Sequence, residues 1–116
     1  MQKTITRALL AATVSLACTQ AGATVKVGFM LPYSGTYAKL GEAIENGFKL
    51  YVAEQGGKLA GQDIQYFKVD DESDPSKATE NANRLIKRDQ VDILVGTVHS
   101  GVALALAKAA KAADTT

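Results

Sequence analysis

Apolar and polar positions along this chain switch repeatedly between the spacing of a strand and that of a helix. The run 25–31, Val-Lys-Val-Gly-Phe-Met-Leu, is short, apolar and β-prone; it stops at Pro32 and predicts a strand. Residues 32–36, Pro-Tyr-Ser-Gly-Thr, form a turn-rich loop. Beyond it Leu40, Ala43, Ile44, Gly47, Phe48, Tyr51 and Val52 share one helical stripe, which ends at Gly56-Gly57, a pair suited to a left-handed helix stop. A turn around Gly61 leads into 64–69, Ile-Gln-Tyr-Phe-Lys-Val, a second strand with partial alternation. The polar stretch Asp70-Asp71-Glu72-Ser73-Asp74 reads as a solvated loop, with Asp74 as helix cap and Pro75 at the first helical position. Ala78, Ala82, Leu85, Ile86 and Asp89 trace the second helix face. The nearly all-apolar run 91–95 predicts a third strand covered on both faces. Residues 96–101, Gly-Thr-Val-His-Ser-Gly, are the loop after it, and Ser100 is placed to cap a third helix carrying Val102, Leu106, Ala109, Ala110 and Ala113.

The order β-α-β-α-β-α implies right-handed crossovers and a parallel sheet between helices, an α/β three-layer sandwich. Three strands make a small sheet whose edges are normally paired further. The chain stops just after a helix, where a fourth strand is expected, so the 116 residues read as a fragment or a truncated reading frame.

The N-terminus departs from this pattern. Lys3 and Arg7 precede an uncharged run from Ala8 to Ala17, and Ala21-Gly22-Ala23 supplies the small-x-small pattern of a signal-peptide cleavage site. Ten apolar residues reach about 15 Å as a helix, half of a bilayer core, so a signal peptide over 1–23 is expected rather than a membrane span. The other reading of the segment is a buried N-terminal helix. The sole cysteine, Cys18, leaves with the signal, so the mature chain must fold on its core without a disulfide. In a competing reading Cys18 is a lipoprotein anchor, since Val14-Ser15-Leu16-Ala17 before it loosely resembles the lipoprotein cleavage box, although Ser15 stands where Leu is usual. Either route places the mature protein in the periplasm, with membrane contact only through Cys18.

Charge excludes one class of partner. The formal charge is +1 and basic residues are scattered among acids, so no nucleic-acid footprint exists. In a parallel α/β sheet ligands sit beyond the carboxyl ends of the strands, here the loops 32–36, 70–74 and 97–101. The first offers Ser34, Thr36 and Tyr37 beside a helix N-terminus, a setting for a carboxylate; Ser34 or Thr36 could equally serve only as the helix cap. The third offers Ser100 and the amides after it, with Gly101 and His99; the imidazole either lines a pocket or fills the loop. No dinucleotide fingerprint or phosphate loop is present. The acids of 70–74 lack the spacing of a Ca²⁺ loop, and one histidine without cysteine cannot build a zinc site, so neither a metal nor a cofactor is expected.

These residues together resemble the type I periplasmic solute-binding proteins of ABC importers, the family that takes branched-chain amino acids, amides and aromatic acids. The resemblance rests on Val25-Lys-Val-Gly28, Leu31-Pro-Tyr-Ser-Gly35, Gly41, Gly47, Gly56-Gly57, Gly61, Asp70-Asp71, Asp74-Pro75 and Gly96-Thr-Val-His-Ser-Gly101, and covers residues 25–113. It implies that 24–116 is part of the N-terminal lobe of a two-lobed protein. It also implies that Ser100 contacts a ligand carboxylate, with Ser34 and Tyr37 bordering the cleft. Branched-chain binders often carry an aromatic residue where this chain has Leu40, a departure that weighs against leucine. The form of the 96–101 loop is closer to members assigned to aromatic carboxylates. The partners implied are a small carboxylate, amino acid or aromatic acid, and an ABC permease for the whole protein.

Two other classes compete. An exported α/β hydrolase needs a nucleophile, a base and an orienting group, yet the one histidine adjoins Ser100 and no Gly-x-Ser-x-Gly elbow exists, so no enzyme is expected. A receptor's ligand-sensing domain needs a membrane span or effector domain that this sequence does not show.

Overall fold

The computed structural model describes residues 22–115; the expected signal segment up to residue 21, including Cys18, lies outside them. Three parallel strands, β1 (Val25–Leu31), β2 (Ile64–Asp70) and β3 (Ile93–Gly96), lie in the order β2-β1-β3. Three α-helices connect or follow them: α1 (Ala38–Glu54), α2 (Pro75–Asn83) and α3 (Ser100–Ala113). A π-helical turn, Arg84–Arg88, extends α2. The alternating order is the one expected from the spacing. Strand β3 begins two residues late, because Asp92 acts as a clasp before it: its amide donates to the Lys26 carbonyl (2.8 Å), and its carboxylate accepts the Lys26 amide (2.8 Å).

Strand β1 is central, and Val27, Phe29, Met30 and Leu31 are fully buried. Its alternation divides the interior into two layers. Val27, Phe29 and Leu31 meet Phe48 of α1, Tyr66 of β2 and Ile93 and Val95 of β3. Phe48 approaches Phe29 edge-on at 5.4 Å, and Tyr66 stacks on Phe29 at 5.7 Å. On the opposite face Met30 packs with Val69 of β2, Ala78 and Ala82 of α2, Leu85 of the π-helical turn, Val91 before β3, and Val102 and Leu106 of α3. The molecule is therefore the α/β three-layer arrangement, α1 on one side and α2 with α3 on the other. Strand β3 is only half-buried, unlike the fully covered strand its apolar run predicts, because no strand pairs its outer edge among the described residues.

Helix α1 corrects a second expectation. Its sheet-facing residues are Gly41, Glu45, Phe48 and Val52; of the predicted stripe Phe48 and Val52 therefore face inward as expected, whereas Leu40, Ile44 and Tyr51 are exposed, Leu40 by 51%. Close approach decides this rotation. A methyl group on Gly41 would overlap the Pro32 carbonyl oxygen, so the glycine faces inward and the bulky residues turn outward. The helix ends as its glycines predict, with Gly56 and Gly57 at φ +77° and +79° and the Gly57 amide donating to the Val52 carbonyl (2.9 Å).

Candidate functional site

The parallel order brings the loops after β1, β2 and β3 to one end of the sheet, where ligands of such sheets bind. In the β1 loop Ser34 and Thr36 are exposed, and neither caps α1; the cap position is Tyr37, which makes no side-chain capping bond. Gly35 turns the chain at φ +71°. The capping role open to Ser34 and Thr36 is thus unused, and their hydroxyls remain in the loop.

At α3 the cap expected of Ser100 belongs to its neighbour. His99 is the N-cap, and its Nδ1 accepts the Gly101 amide (3.1 Å). Because Nδ1 accepts, the ring proton of a neutral imidazole lies on Nε2, which stays a donor. Ser100 is the exposed first residue of the helix, its hydroxyl at the positive end of the helix dipole. Gly101 has no room for a side chain, since a Cβ would stand 2.9 Å from Pro75 and 3.1 Å from His99. Asp74 caps α2 as predicted: its carboxylate accepts the Ser76 amide (2.9 Å) and hydroxyl (2.7 Å), which holds its pKa below the usual range.

The middle loop differs most from expectation. Asp71, read as part of a solvated loop, is fully buried, and its carboxyl accepts the Thr97 hydroxyl and the Ser73 amide (2.7 Å). Asp70 accepts the amides of Tyr33 (2.9 Å) and Glu72 (2.9 Å). Burial pushes the Asp70 carboxyl up, but the Tyr33 amide, the Ser34 hydroxyl and the Glu72 amide outweigh it and bring the pKa below the ordinary value. Burial of Asp71 and partial burial of Asp70 are tolerated because each finds hydrogen-bond donors at the strand ends, information that the run of acids does not carry.

Below the β1 loop lies a second buried acid. Glu45 of α1 binds Lys49 (2.6 Å) and Lys68 (2.9 Å), and Lys68 also lies 3.9 Å above the Tyr33 ring. Burial raises the Glu45 pKa; the Lys49 ammonium, the nearby Tyr33 hydroxyl and the Lys68 ammonium more than reverse this and hold it at about 2. The Tyr33 hydroxyl is buried without a hydrogen bond of ordinary geometry, and burial with the Glu45 charge pushes its pKa well up. Among the described residues no cluster of three or more His, Cys, Asp or Glu side chains could hold a metal ion. A groove of about 690 Å³ runs along α2 and α3, lined by Thr79, Leu104, Ala105 and Lys108 among others. It includes Gly101 but not Ser34, Tyr37, His99 or Ser100, and its alanine-rich wall offers few convergent polar groups.

Residues 24–116 match the family described as periplasmic binding protein. The Leu/Ile/Val-binding protein BraC3 of Rhizobium johnstonii is 32% identical over 105 residues, covering 88% of this chain and 28% of that protein. A solute-binding protein of an R. palustris ABC transporter, crystallised with benzoate, is 59% identical with a TM-score of 0.75, covering 78% of this chain and 25% of that one. Another from Rhodopseudomonas palustris BisB5, in complex with 3,4-dihydroxybenzoic acid, is 35% identical with a TM-score of 0.73, covering 79% and 25%. The substrate-binding protein LivJ of Streptococcus pneumoniae, in complex with isoleucine, is 29% identical with a TM-score of 0.71, covering 80% and 27%. The chain spans about a quarter of the length of the proteins it matches.

Proposed function

The chain belongs to the periplasmic binding protein family, and from that premise we propose that it supplies the first-lobe side of a carboxylate site in the solute-binding component of an ABC importer. Aromatic acids of the benzoate type are the proposed ligands, ahead of branched-chain amino acids. The observation that carries this reading is the exposed Ser100 hydroxyl at the start of α3, beside a His99 whose Nε2 remains a donor, in a chain 59% identical to a benzoate-complexed protein. In the proposed site Ser100 and the first turn of α3 hold the carboxylate. His99 donates from Nε2, Gly101 keeps that turn compact, and Ser34 and Tyr37 border the cleft. The protein's permease partner and its periplasmic export, by cleavage after Ala23, belong to the same proposal.

The test is calorimetric titration of benzoate and leucine into the whole protein in which these residues occur. Benzoate is expected to bind the more tightly. Tighter binding of leucine overturns the aromatic assignment, and binding of neither overturns the carboxylate reading.

A further inference from the structure

We infer that Asp71 is a positioning residue of this site, its buried carboxyl fixing the β3 loop from across the central strand while Asp70 fixes the β1 loop. The inference rests on the carboxylate site proposed above, and it goes beyond that site because neither acid touches the ligand in it.

Strands β2 and β3 are not neighbours; β1 lies between them. Side chains at their ends meet only if one reaches over the end of β1, and Asp71 does so. One carboxyl oxygen accepts the Thr97 hydroxyl, at the start of the loop that carries His99 and Ser100. The other accepts the Ser73 amide at 2.7 Å. The Asp71 amide donates to the Leu31 carbonyl at 3.0 Å, where β1 passes into its own loop. A single residue thus joins all three strand ends. Asp70 extends the clasp in the other direction by accepting the Tyr33 amide, one residue before Ser34.

The local backbone is built around these bonds. Glu72 and Ser73 both adopt left-handed conformations, at φ +50° and +55°. Each is supported by the acid two residues before it, Asp70 for the Glu72 amide and Asp71 for the Ser73 amide. A fully buried carboxyl is costly unless its oxygens are bonded, so its placement between two loops demands that both loops keep their positions. Ser34 lies in the first of those loops and Ser100 opens the helix that follows the second, and the dipeptide Asp70-Asp71 sets the span between them.

Asp71→Ala and Thr97→Val each remove the bond between the β2 and β3 ends, the second without touching the acid. Asp71→Asn keeps an acceptor for the Ser73 amide and can donate to the Thr97 oxygen, so it serves as the conservative rescue. The readouts, on the whole protein in which these residues occur, are benzoate affinity by calorimetry and amide hydrogen exchange across residues 97–101. Asp71→Ala and Thr97→Val are expected to weaken benzoate about tenfold or more, and to accelerate exchange at 97–101 by about tenfold, with α1 unchanged. Asp71→Asn is expected to stay within about threefold of the unaltered protein on both. Should Asp71→Ala fail to fold, Thr97→Val carries the test. Unchanged loop exchange in Thr97→Val overturns the inference whether or not benzoate binds. Faster exchange with unchanged benzoate affinity overturns the positioning role. Failure of the unaltered protein to bind benzoate or leucine overturns the carboxylate reading, while the exchange measurement, which needs no ligand, still decides the clasp.

Discussion

Ser100 and Glu45 illustrate two ways in which one side chain is set by what surrounds it. Ser100 is exposed at the first turn of α3, where its hydroxyl adds to the helix dipole toward an anion. Replacing it with alanine is expected to cost about 1.5–3 kcal/mol of benzoate binding, the range for a hydrogen bond to a charged group, with no change in thermal midpoint. Calorimetry and a melting curve on the same variant check both halves of that statement. Glu45 contributes to stability instead. Its folded pKa of about 2 lies below the ordinary 4.5, so its contribution is present above pH 4.5 and is lost as pH falls toward 2. Lys49 and Lys68 are each about half-exposed, and solvent screening therefore limits the pairing to about 1 kcal/mol. Urea unfolding of Glu45→Gln is expected to show that deficit at neutral pH, and the deficit is expected to shrink steadily as pH falls from 4.5 through 2.

At the scale of elements, α1 separates a glycine held by packing from one that is not. Gly41 sits against the Pro32 carbonyl, and Gly47 has nothing within 4 Å of where a Cβ would lie. Gly41→Ala is expected to destabilise by about 1–3 kcal/mol through overpacking. Gly47→Ala is expected to stabilise by about 0.5–1 kcal/mol, because an exposed helix interior favours alanine. Opposite shifts in denaturation midpoint would bear this out, and an unchanged or raised midpoint for Gly41→Ala would refute the inward packing of Gly41. The rotation of α1 also shows where periodicity misleads. Of the expected stripe, Phe48 and Val52 do face the sheet, while Leu40, Ile44 and Tyr51 lie outside and Gly41 and Glu45 take the inward positions. Helix α2 shows the contrary case, with Ala78, Ala82 and Leu85 buried as their spacing predicts.

For the whole molecule, binding and export are the properties to test. Members of this fold class close two lobes around a ligand. The 116-residue chain, which matches about a quarter of its relatives, is expected to show no affinity for benzoate measurable by calorimetry; micromolar binding would contradict this. Protein recovered from the periplasm is expected to begin at Thr24. A palmitate-labelled chain beginning at Cys18 would favour the lipid anchor instead.

The order of elements, the bounds of β1, the glycine stop of α1 and the Asp74-Pro75 start of α2 follow from the sequence by itself, because each depends on neighbours a few residues away. Ser34, Tyr37 and His99 are also legible there as residues of the strand-end loops, since a β-α alternation fixes which loops gather at one end of the sheet, whereas Ser100 and Gly101, read as loop, open α3. The tertiary structure alone decided which face of α1 turns inward, that His99 rather than Ser100 caps α3, and that Asp71 is buried. Those outcomes hinge on the Pro32 carbonyl, the competing cap geometry of adjacent residues, and a threonine 26 residues away; the last of these contacts exists only once the strands have paired, and the first two are decided by backbone geometry that residue type alone does not specify.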